Sequence, residues 1–72
     1  MTENQVNMII SRRWPRMSTR TRRACVSVIL GDMTPYNAEM VYEVPFGTVG
    51  RHVRRIEAEH DFCVEVARGS LT

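Results

Sequence analysis

Apolar positions recur every three or four residues along most of this chain and mark out four short helices. Val6, Ile9 and Ile10 form the first stripe. Thr2 followed by Gln5 has the form of a capping box at its start, and Pro15 disfavours helical backbone in Trp14, so the helix ends there. Ala24, Cys25, Val28 and Ile29 form the second stripe, with Ser18 or Thr19 as its cap and Gly31, just after Leu30, as a left-handed stop. The β-branched Val26, Val28 and Ile29 leave a strand as the alternative for this run. A third helix opens with Thr34 as N-cap and Pro35 at the first helical position, and Pro45 ends it close to Glu43. Phe46 to Glu59 forms the last and longest helix, although Gly47 and Gly50 each weaken a helix interior by up to about 1 kcal/mol relative to alanine. Beyond Asp61 the period changes. Phe62, Val64 and Val66 alternate with Cys63, Glu65 and Ala67 in the manner of a half-buried strand over 62–67, which must pair with the N-terminal part, a second copy or a partner. Arg68 to Thr72 read as a loose end. The expected fold is mainly α: one domain of about four short helices with a short C-terminal β-strand.

Within this pattern, Thr34 to Ile56 (TPYNAEMVYEVPFGTVGRHVRRI) has the apolar spacing of a helix-turn-helix, spanning 34–59 with the rest of the last helix. Ala38, Val41 and Tyr42 form the inner face of its first helix, Val44 is buried in the turn, and Val49, Val53 and Ile56 share one face of the second. That second helix then shows Thr48, Arg51, His52, Arg54 and Arg55 to its surroundings, the positions that enter the major groove in a DNA reader. Arg51 and Arg55, one turn apart, suit base edges, with Thr48 and His52 in support. Arg54 and the Arg20 to Arg23 cluster suit phosphates. The bland alternative is an amphipathic helix whose three arginines only balance Glu57 and Glu59.

Composition narrows the field. Seventy-two residues make one domain that buries only roughly 60% of the surface of its unfolded chain, so a large catalytic cleft is not expected. The net charge of +2 conceals an uneven layout in which all ten basic residues are arginine. Arg12, Arg13, Arg16, Arg20, Arg22 and Arg23 crowd one span around Trp14, whereas Glu57, Glu59, Asp61 and Glu65 gather near the C-terminus and Glu39 and Glu43 lie in the third helix. Such separation suits a protein that docks its arginines on an anionic surface, phosphate or acidic protein, and the alternative is a solvated charge run. Trp14 and Phe46 are expected to pack in the core, while an exposed Trp14 among the arginines would anchor a partner.

Cys25 and Cys63 are isolated thiols with apolar neighbours, expected as small core residues, and no spacing draws them together with His52 and His60 into a metal site. No cofactor is implied. The chain has no signal-peptide pattern and no apolar run near the roughly 20 residues of a membrane span, which leads to the expectation of a cytoplasmic protein that does not engage membranes. His52, His60 and Asp61 are the one chemically suggestive set, but no nucleophile elbow or glycine-rich phosphate loop accompanies them, so an enzyme is not expected.

Two resemblances add to this reading. ACVSVILGDMTPYNAEMVYEVPFGTVGRHVRRIEA resembles the helix-turn-helix of the KorA/TrfB plasmid repressors over about half the chain, through Gly47, Val49, Val53 and Arg55, with Arg51 where that family carries a base-reading side chain. The resemblance implies repression by operator binding, usually as a dimer. Glu39 and Glu43 depart from it, standing where a small residue and a glycine are usual, and so does Pro45, which replaces a hydroxyl or amide cap. The family's separate dimerisation portion has no counterpart beyond DFCVEVA. The whole chain also resembles the small inhibitors of host RNA polymerase carried by lytic Xanthomonas phage, in its length, its single domain, its arginine-rich first third and its acidic C-terminal segment. That likeness implies binding to bacterial RNA polymerase in the host cytoplasm, interference with sigma-dependent initiation, and altered termination, without catalysis. The expected function is thus a phage-type transcription regulator acting on polymerase, as a monomer or weak homodimer, with operator-DNA repression as the alternative.

Overall fold

The computed structural model describes residues 1–69 and contains four helices: α1 (Glu3–Arg13), α2 (Thr19–Ile29), α3 (Pro35–Val41) and α4 (Thr48–Ala67). Local chemistry fixes each start. Thr2 and Gln5 exchange side-chain and backbone hydrogen bonds as a capping box on α1. Ser18 accepts from the Thr21 N–H at the start of α2, and Thr34 accepts from the Asn37 N–H ahead of Pro35 at the start of α3. Trp14 closes α1 by donating to the Ile10 carbonyl, and Trp14 to Met17 then form a turn closed by a 3.0 Å bond, with Pro15 in the position that its ring favours.

The ends of α2 and α3 share one device. After α2 the Asp32 N–H reaches the Ser27 carbonyl and the Gly31 N–H reaches that of Val28, with Gly31 left-handed at φ 84°. After α3 the Val44 N–H reaches the Glu39 carbonyl and the Glu43 N–H reaches that of Met40, with Glu43 left-handed at φ 55°. At Gly31 this backbone is unstrained, whereas the Glu43 Cβ makes it costly. Glu43→Gly is therefore expected to stabilise the fold by about 0.5 to 1 kcal/mol, read as a rise of a few degrees in melting temperature. A fall would mean that the exposed Glu43 side chain has a structural role.

α2 and α4 form the centre of the molecule, each contacting the other three helices, while α1 and α3 lie apart. Their shared core is Val6, Ile10, Ala24, Cys25, Ala38, Val44, Val49, Val53 and Ile56. Polar ties reinforce the packing of α2: Arg22 donates to Ser11 Oγ at 3.1 Å and Asn7 Oδ1 at 3.4 Å, and Ser27 Oγ pairs with the Tyr42 hydroxyl at 3.2 Å.

The expected strand over 62–67 does not form; these residues are the last turns of α4. The stripe Val49, Val53, Ile56 continues at helical spacing through His60, Cys63, Val64 and Ala67, and Cys63, Val64 and Ala67 line a groove with Met8 and Ile9 of α1. Continuing the helix satisfies the backbone internally, as the Arg68 N–H to Val64 carbonyl bond shows, whereas a lone strand would need a partner. Strand addition at this segment therefore falls away. Phe62 and Val66, which alternation would bury together with Val64, are exposed. Arg68 and Gly69 form a turn, and the remainder of the expected loose end, residues 70–72, lies outside the described residues.

Five smaller expectations are also corrected. The third helix stops at Val41, and α4 starts at Thr48 rather than Phe46, because Pro45 to Thr48 form a hydrogen-bonded turn with Gly47 at φ 84°, ψ −17° in its third position. Val41 is 64% exposed rather than on an inner face, and Phe46 at 73% lies outside the core because that turn carries its side chain away from α4. Cys25 is buried as expected, but Cys63 is only half-buried.

Candidate functional site

The site is built around the first turns of α4. Gly47 offers no side chain to cap this helix, and none of its own residues does so. The cap comes from α3 instead: Glu39, 6% exposed, accepts a 3.1 Å hydrogen bond from the Val49 N–H, the second orphan donor of α4. A carboxylate against a helix N-terminus is favourable for its charge as well as its hydrogen bond. Ala38 is the small buried residue of α3, and Glu39 turns inward beside it, so the carboxylate that would face phosphate is occupied within the fold.

This cap fixes the direction in which α4 presents its other faces. Arg51, Arg54 and Arg55 are exposed and take part in no ion pair among the described residues, and Thr48 is half-buried. His52 departs from the outward placement expected for it. It is half-buried, and its ring meets Trp14 edge-on with centroids 6.1 Å apart and planes at 75°. The Trp14 to Met17 turn thus packs on α4, and with His52, Arg13, Ser18 and Thr21 it borders an open cleft of about 470 Å³.

His52 Nδ1 is buried and, among the described residues, is the side-chain polar atom of that kind without a hydrogen-bond partner. Such an atom typically costs about 1 to 3 kcal/mol, so its retention invites an explanation. Burial first, then the positive charges of Arg55 and Arg51, lower the imidazole from its ordinary value of 6.5. The folded chain therefore holds this proton less readily than the unfolded one. The resulting stability is complete above the ordinary value and is lost as pH falls through the lowered one. Between about pH 7.5 and pH 5 the wild type should lose more melting temperature than His52→Phe, and equal losses would refute this assignment.

The N-terminal arginine cluster does not form one face. Arg13 and Arg16 border the Trp14–His52 cleft, Arg13 also lying 3.7 Å from Glu59. Arg12 lines the groove between α1 and the far end of α4. Arg20 and Arg23 line a shallow depression with Val41, Tyr42 and Glu43. Arg22 is half-buried and committed to Asn7 and Ser11. What the fold does bring together are residues read as two separate sets: Arg13, Trp14 and Arg16 meet His52, whose own charge environment includes Arg51 and Arg55. Trp14 is neither fully in the core nor free; it is half-buried, packed on the core and forming a cleft wall.

A second exposed group escaped the sequence pattern. Tyr36 and Phe46 stack, centroids 5.6 Å apart and planes at 24°, and Met40 and Val41 are exposed on the same short helix. Tyr36 and Met40 at i, i+4 were a legible signal for an apolar outer face of α3. Among the described residues no group of three or more histidine, cysteine or acidic side chains is placed to hold a metal ion, and no helix is long and apolar enough to cross a membrane. No protein-family model, curated protein or solved structure matches this chain, so the two family resemblances rest on its residues alone.

Proposed function

We propose that this protein is a small transcription regulator of phage type that docks on bacterial RNA polymerase, inhibits sigma-dependent initiation and alters termination. The observation that carries a protein partner is the exposure of Tyr36, Met40, Val41 and Phe46 on and beside α3, with Tyr36 stacked on Phe46 and Val41 sharing a depression with Arg20 and Arg23, which take part in no ion pair among the described residues. Aromatics, methionine and arginine are the side chains enriched where proteins meet, and an apolar face of this kind gains little from phosphate. The resemblance to phage polymerase inhibitors supplies the identity of the partner. The test is a pull-down with the tagged chain from nuclease-treated bacterial lysate, scored for polymerase subunits, followed by transcription from several unrelated promoters. Capture without DNA and inhibition at all of them is the expected result; inhibition confined to one promoter sequence would sink the proposal.

Operator repression is the second reading, favoured by the exposed Arg51, Arg54 and Arg55 and by the inward turn of Glu39. Under it, the segment 34–59 is a DNA-reading helix-turn-helix. Arg51→Ala or Arg55→Ala should then each weaken operator binding by about 1 to 3 kcal/mol and relax specificity at one base pair, with affinity falling steeply as salt rises. Unchanged repression in both variants rules it out.

A further inference from the structure

We infer that the outer face of α4 is a self-pairing surface, on which a second copy of this chain lies antiparallel with the two-fold axis at Ala58. The charges of that face are laid out around Ala58, which is exposed and stands opposite the buried stripe of Val49, Val53 and Ile56. Arg51, Arg54 and Arg55 lie on its N-terminal side and Asp61, Phe62 and Glu65 on its C-terminal side, all within about 60° of Ala58 around the helix. Each of the six is exposed except the half-buried Glu65. Asp61 lies 3.8 Å from the neighbouring His60, and the other charged members take part in no ion pair among the described residues. Within one chain this layout is unfavourable. Arg51 meets Arg55, and Asp61 meets Glu65, at i, i+4, where like charges repel. The arginines also lie toward the positive end of the α4 dipole and the acids toward its negative end.

An antiparallel copy turns these repulsions into attractions. Arg51 and Glu65 stand seven residues on either side of Ala58, so Arg51 of each chain faces Glu65 of the other across the axis. Arg54 comes level with Asp61 of the second copy on one flank of the contact. Arg55 comes level with the Phe62 ring on the other flank, where a guanidinium over an aromatic face is attractive. The small Ala58 lets the two backbones approach where the helices cross, and the two-fold axis makes every contact occur twice. Duplex DNA or an acidic protein surface matches the arginines but repels Asp61 and Glu65, whereas a copy carrying the same pattern in reverse satisfies both halves of the face. The pair runs along about 21 Å of helix and buries less than a standard interface, so half-dissociation is expected at roughly 10 to 100 µM. The pairing leaves α3 and its apolar residues free and is independent of the polymerase reading.

Sedimentation equilibrium of the full chain tests the pairing. The wild type should show a monomer–dimer equilibrium between about 10 and 500 µM that weakens as salt rises. Arg51→Glu and Glu65→Arg should each weaken it at least about tenfold, because the two-fold axis turns one reversal into two like-charge contacts. Each substitution suits the dipole of its own helix, so neither should lower the melting temperature at about 2 µM, where the wild type is monomeric. Lost pairing is thereby separated from lost folding. Mixed in equal amounts, the two variants should pair about as tightly as the wild type, since both facing contacts are again of opposite charge. Arg51→Glu mixed with Asp61→Arg should stay weak, because those two positions do not face each other. A wild type that remains monomeric up to about 500 µM overturns the inference and leaves the arginines to DNA or polymerase. So does a dimer indifferent to Arg51→Glu, or a matched mixture that associates no better than its separate components or the mismatched one.

Discussion

Glu39→Ala is expected to cost about 2 to 3 kcal/mol and to lower the melting temperature by on the order of 10 °C, a large effect for a single carboxylate in a domain of this size. The substitution leaves the Val49 N–H buried without an acceptor, at the end of a helix whose own N-cap, Gly47, supplies none. It also removes negative charge from the positive end of the α4 dipole. Glu39→Gln retains a carbonyl acceptor and should recover more than half of the loss. Were Glu39 an ordinary surface residue, alanine would change stability by less than about 0.5 kcal/mol, and that result would refute the capping role. The same substitution bears on function. If Glu39 repelled phosphate, its removal would strengthen DNA binding; as the cap that holds α4 in place, its removal should weaken every activity that depends on Arg51 and Arg55.

The second large effect is expected at Ile56, which is fully buried where α4 meets the core. Ile56→Ala should destabilise by about 2 to 5 kcal/mol through lost transfer energy and an unfilled cavity, against a total stability of about 4 to 11 kcal/mol for a chain of this length. Ile56→Val, which removes one methylene, should cost about 0.5 to 1.5 kcal/mol. Phe62→Ala is the control. On the exposed side of a helix it should cost well under 1 kcal/mol, whereas in a half-buried strand it would rival Ile56→Ala. Urea unfolding of the three variants tests the packing of α4 and the helical state of its last turns together.

The starts of α1, α2 and α3 were the most legible part of the sequence because they depend on neighbours three residues apart. Thr2, Ser18 and Thr34 each cap as their spacing implies. The inner stripe of α4 was legible for the same reason. The end of α4 was not: Phe62, Val64 and Val66 alternate, while His60, Cys63, Val64 and Ala67 repeat at helical spacing, so both periods coexist there. Continuity with the stripe before it and the absence of a strand partner decide for helix. Glu39 and Glu43 read as departures from a helix-turn-helix because sequence shows charge but not direction; one turns inward to cap α4, and the other adopts a backbone that glycine usually provides. The candidate site was half legible. Its arginines stand out, but the meeting of Trp14 with His52 joins residues thirty-eight positions apart, and only the packing of the Trp14 to Met17 turn on α4 brings it about.

The two cysteines give the molecule a built-in gauge of its own opening. Burial pushes the Cys25 thiol up to about 11, so at neutral pH almost none of it is the reactive thiolate, and the surrounding core excludes reagents. Cys63 sits half-exposed on the far end of α4. An alkylating reagent therefore marks Cys63 in the native protein and reaches Cys25 only when the core parts, so the ratio of doubly to singly modified chains records how often the domain opens, without any engineered label.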